Sequence, residues 1–125
     1  MTTGAPLIST LETYLRLTES REKAVSANMA NIDTPGYQTR DIDFENEMTK
    51  AMNDPLRQSA DGVVSAQFNP VAREVPGLME RPDGNNVSLD REGLLMSETQ
   101  LQYQIGIQLI KHQFHQIMSA ISGGS

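Results

Sequence analysis

Apolar positions recur at alternating steps of three and four along the first quarter of the chain. They run through Ile8, Leu11, Leu15, Thr18, Glu22, Val25, Met29 and Ile32, with a polar break at Thr18 and Glu22. This is the seam of an amphipathic helix that packs in coiled-coil fashion. The flanks carry Arg16, Glu19, Arg21 and Lys23, so the opposite face is solvated. Pro6 suits a first helical turn, which predicts a helix over 6–33.

The same alternation returns near the C-terminus. Met96, Gln100, Tyr103, Ile107, Ile110, Phe114, Ile117 and Ile121 form a second seam, apolar except at Gln100. A further stripe of Leu94, Leu101, Ile105 and Leu109 lies on a neighbouring face. Two stripes imply a helix with more than one partner. Asp90 and Glu92 favour its positive N-terminal end, and Gly123-Gly124 closes it, predicting a helix over 91–122. Its polar residues are mostly Gln, with Glu98 and Lys111 the only acid and Lys from Leu94 onward. Uncharged Gln tolerates burial between helices where an unpaired charge costs several kcal/mol.

Residues 34–90 hold five of the six prolines and read as an extended or irregular middle segment. "FENEMTKAM" (44–52) suits a short helix. The rest predicts extended pieces, with a possible β-hairpin turning at Asp83-Gly84-Asn85 and a mobile loop near 58–67. The expected fold is mainly α: one subunit over 1–125, with two long terminal helices as a coiled-coil-like pair.

"SANMANIDTPGYQTRDIDF" (26–44) is the most organised polar stretch. Asn28 and Asn31 share a helix face and can bond carbonyls left free at a helix end. Pro35 disfavours a helical Thr34, and Pro35-Gly36 suits the centre of a type II turn before Tyr37. The stretch is read as a rigid hand-over from helix to extended chain, although an ordinary helix end has the same ingredients.

Composition narrows the function. The formal net charge is -6, which disfavours nucleic acid and anionic membranes as partners. With no cysteine there is neither a disulfide framework nor thiolate chemistry. "MTTGAPLIST" lacks the basic and apolar stretches of a cleavable signal, and no apolar run is long enough to span a bilayer. "DGNNVSLD" places Asp83 and Asn85 as calcium-loop ligands, but Val87 and Ser88 then break the pattern, so a turn fits better. His112 and His115 stand three apart without a third metal ligand. No residues suggest a catalytic centre, a cofactor or a metal.

"SANMANIDTPGYQTRDIDF" resembles the N-terminal motif of bacterial flagellar rod and hook proteins. "RDIDF" and the short middle segment resemble a proximal-rod member of that family. So does "RPDGNNVSLDREGLLMSETQLQYQIGIQLI", although its "EGLLM" is more apolar than the family pattern. The resemblance covers about half the chain. It implies terminal helices that self-assemble into a tube around an export channel in the periplasmic rod of the basal body. It also implies contacts with other rod proteins and with the adaptor at the membrane ring, and uncleaved export by the flagellar type III apparatus. The alternatives are another short axial protein of the same apparatus and a soluble helical adaptor or chaperone.

Overall fold

A computed structural model describes residues 4–53 and 69–123. Its elements are α1 (Gly4–Ala30), β1 (Arg40–Ile42), α2 (Phe44–Met52), β2 (Ala72–Glu74) and α3 (Leu89–Gly123). The two long helices dominate. They run antiparallel, because Asn28 meets Glu92 at one end while Leu15 lies against Gly106 further along.

The helix ends differ from the sequence expectation for local reasons. α1 stops at Ala30 rather than Ile32 or Asp33, because the carbonyls of Asn31, Ile32 and Thr34 all accept hydrogen bonds from the Asn85 side chain. α3 starts at Leu89, two residues earlier than expected. Ser88 caps it: its hydroxyl accepts from the Arg91 N–H at 3.3 Å, and its carbonyl accepts from Glu92 N–H at 2.9 Å. α2 forms over 44–52 as its sequence suggests. Asp43 caps it by accepting from Asn46 N–H, Glu45 and Glu47 sit in its first turn, and Lys50 sits in its last.

The small antiparallel sheet does not fold about Asp83-Gly84-Asn85. β1 pairs instead with β2, in the register Arg40↔Glu74, Asp41↔Arg73 and Ile42↔Ala72. The loop around Gly84 has a different task, because its polar groups turn towards the end of α1. The expected loop near 58–67 lies outside the described residues.

α1 is central and uses two faces. Leu15 approaches α3 at Gly106, while Tyr14 meets Phe44 of α2 edge-on with ring centroids 5.4 Å apart. Leu11, Leu17, Ala24 and Val25 form its share of the core, joined by Ile42, Ala51 and Val87. Gly106 marks a close helix crossing: a Cβ there would lie 2.7 Å from Leu15 Cδ2 and 3.1 Å from Tyr14 Cδ1.

Candidate assembly junction and surface

The junction begins where α1 ends. Asn28 is fully buried and uses every hydrogen-bonding group of its amide. Its Oδ1 accepts from the Arg40 N–H and the Tyr37 hydroxyl, both at 3.0 Å. Its Nδ2 donates to the Arg40 carbonyl at 2.8 Å and to Glu92 Oε1 at 2.5 Å. The side chain thus holds both backbone groups of Arg40, as a neighbouring strand would, and ties β1 to α1 and α3 together. Asn31 acts locally: its Nδ2 donates to Ala27 O, and its Oδ1 accepts from the Thr34 hydroxyl.

The turn follows at once. Tyr37 N–H donates to Thr34 O at 3.2 Å, and Gly36 has φ +76°, so Thr34-Pro35-Gly36-Tyr37 has the features of a type II turn. The 81–86 loop clamps this turn from outside. Asn85, fully buried, donates through Nδ2 to the carbonyls of Asn31, Ile32 and Thr34 at 2.9–3.0 Å. Arg81 also donates to Ile32 O, and Gly36 N–H donates to Asp83 O. Asn86 accepts from Thr39 N–H at 2.6 Å and donates to the Gln38 side chain at 2.8 Å. Two segments some fifty residues apart therefore close into one polar knot.

Charged groups extend the knot. Arg21 of α1 grips Asp41 of β1 through two bonds, at 3.1 and 3.0 Å. Arg91 of α3 donates to Glu92 at 2.7 Å and stands 3.8 Å from Asp41. Two cations balance two anions, one of which, Glu92, is fully buried. A buried carboxylate is tolerable only when paired and hydrogen-bonded, and Glu92 has both Arg91 and Asn28.

Away from the junction, α3 presents a bare apolar surface. The line it turns to α1 runs through Glu92, Thr99 and Gly106, all buried and one heptad apart. At about 100° per residue, Leu94, Leu101, Ile105 and Leu109 lie to one side of this line, while Met96, Tyr103, Ile107, Phe114 and Met118 lie to the other. Both flanks are open: Leu101 is 58% exposed and Phe114 is 52% exposed. Leu101, Gln104, Ile105, Gln108 and Leu109 line a shallow groove along the first flank. Large apolar side chains grouped in this way mark a surface made for contact.

No family model matches the chain. Relatives aligned over most of its length do. It is 35% identical over 123 residues to the flagellar basal body rod protein FlgB of Escherichia coli K12, with 89% of each chain covered. It is 34% identical over 124 residues to the FlgB of Salmonella typhimurium, again with 89% of each covered. Against the FlgB of Cereibacter sphaeroides ATH 2.4.9 it is 32% identical over 114 residues, covering 87% of this chain and 88% of the relative. The chain belongs to the FlgB family of flagellar basal body rod proteins.

In this FlgB-family chain the motif residues converge unevenly. Asn28 is buried, Asn31 and Tyr37 are half-buried, and Thr34, Pro35 and Gly36 are exposed at the turn. Along α1 and just past its end, Leu11 and Val25 are buried, and Ile8, Leu15, Met29 and Ile32 are half-buried. Along α3, Met96, Ile107, Ile110 and Ile117 are half-buried, while Tyr103, Phe114 and Ile121 face solvent. The FlgB-family junction also uses Asn85, Asn86 and Glu92, which the sequence presents as turn or helix-start residues, and Arg81, to which the sequence assigns no role. Paired Asn-Asn beside Gly84 was the available signal, since side-chain amides near tight turns often bond backbone. Among the described residues, no helix is long and apolar enough to cross a membrane, and no cluster of three or more acidic or imidazole groups could hold a metal. His112 and His115 are exposed on α3.

Proposed function

We propose that this rod protein is a building block of the proximal rod. It self-assembles through its terminal helices into a tube around the export channel. It leaves the cell body uncleaved through the flagellar type III apparatus, and it meets other rod proteins and the membrane-ring adaptor in the periplasmic part of the basal body. The observation that carries the reading is α3: an apolar helix surface, nearly free of charge, left open on both sides of its contact with α1. The junction supplies the second requirement of a repeating assembly, a fixed angle. Asn28, Asn85 and the Thr34–Tyr37 turn hold the extended segment in one direction relative to α1, so every copy presents the same shape.

The test is to isolate basal bodies from cells whose sole copy of the gene encodes this chain. Imaging should place the subunit in the rod wall, and mass measurement should return the full uncleaved chain. A subunit found only in the cytoplasm, as a small defined oligomer, would instead support the adaptor or chaperone reading.

A further inference from the structure

We propose that copies of this chain pack α3 on α3 in parallel, with the Leu94–Leu101–Ile105 flank of one copy against the Ile107–Phe114–Met118 flank of the next. The two helices are offset by the thirteen residues that separate Glu98 from Lys111. The inference rests on the self-assembly reading and gives that assembly a register.

Three observations lead to it. The flanks lie on opposite sides of the line that faces α1, so joining one to itself in a symmetric pair would leave the other bare. Joining one flank to the other is a heterologous contact, which repeats from copy to copy and keeps the helices parallel. Next, Glu98 and Lys111 are the only acidic and basic side chains, His aside, from Leu94 onward. Each is exposed, and neither makes an ion pair with a described residue. At the proposed offset, about 20 Å along the axis at 1.5 Å per residue, Glu98 of one copy faces Lys111 of its neighbour.

The last observation is that the apolar residues agree with the charges. The same offset sets Leu94 beside Ile107, Leu101 beside Phe114, and Ile105 beside Met118. One heptad less would put Ile105 on Lys111 and Leu94 on Gln100. One heptad more would put Glu98 on Met118. Of these heptad-related registers, only the thirteen-residue offset satisfies both patterns. The charge pair then specifies the alignment while the apolar contacts provide the cohesion.

The native chain lacks cysteine, which makes the register directly testable. In cells producing Leu101→Cys/Phe114→Cys as the only copy, mild oxidation of isolated basal bodies should give disulfide-linked multimers. The two positions of one helix are too far apart to bridge within a chain. Leu101→Cys alone, or Leu101→Cys/Ile121→Cys, should give several-fold less. Glu98→Lys and Lys111→Glu should each shrink the motility halo, and the double exchange should restore it. Both sites are exposed, and circular dichroism of the purified variants should match wild type. Subunits present in basal bodies but linked equally by the control variants overturn the register. So do charge variants that swim normally, or single defects that the exchange does not relieve. A wild-type chain absent from basal bodies overturns the self-assembly reading itself.

Discussion

Gly84 approaches Gly36 so closely that a Cβ on Gly84 would lie 3.4 Å from the Gly36 Cα. Both residues have positive φ, +85° and +76°, and their loops come from opposite halves of the chain. The contact joins the clamp to the turn it holds.

Substitutions at this contact should rank by backbone strain. At Gly36 the space is open, so the cost is conformational, about 1–2 kcal/mol for a residue with a Cβ. Gly36→Val should be worse than Gly36→Ala, and Gly36→Asn mildest, because Asn tolerates this region. Gly84→Ala carries the same strain and adds a backbone contact at the near edge of van der Waals distance, so it should cost at least as much as Gly36→Ala. Urea midpoints, with motility halos at matched subunit levels, give the order. Equal values for Gly36→Val and wild type would mean that the turn does not fix the exit angle.

Asn28 should be among the least replaceable side chains. Asn28→Ala leaves Arg40 N–H and O without their partner and withdraws a donor from buried Glu92, a loss of ~2–4 kcal/mol. Asn28→Asp keeps the size but sets a carboxylate beside Glu92, and should be at least as damaging as Ala. Denaturation of the purified chain measures both. An Asp variant as stable as wild type would show that Glu92 does not need the amide donor.

These residues also show what the sequence could convey. Helix periodicity and capping are local, so the two long helices and the Phe44–Met52 helix were legible. So was the Pro35-Gly36 turn, whose requirement for positive φ is written in the residue type. The partners of Asn85 were not, because its three carbonyls come from more than fifty residues earlier. Strand pairing was missed for the same reason: β1 and β2 are distant in sequence and each is three residues long. On α3, counting apolar residues found the two flanks. It could not find the line between them, where Thr99 and Gly106 are buried for their small size.

Gly106 gives a check on that line. Gly106→Ala places a methyl group 2.7 Å from Leu15 Cδ2, an overpacking cost of about 1–3 kcal/mol that about 1 kcal/mol of added helix propensity partly offsets. Leu15→Val should relieve part of it, so a double-mutant cycle should show coupling between the two sites. Strict additivity would mean that α1 and α3 do not cross there.

Phe114→Asp tests most directly the claim that subunits join through the open surface of α3. Phe114 is 52% exposed in the single chain, so the substitution should cost the isolated protein only about 1 kcal/mol. In an assembled rod it would bury an unpaired carboxylate, a penalty of several kcal/mol. The decisive measurement is the amount of subunit in isolated basal bodies, relative to the amount made, for Phe114→Asp and wild type. If subunits join through this surface, the variant folds normally yet is nearly absent from basal bodies. Wild-type incorporation and intact rods would contradict the claim.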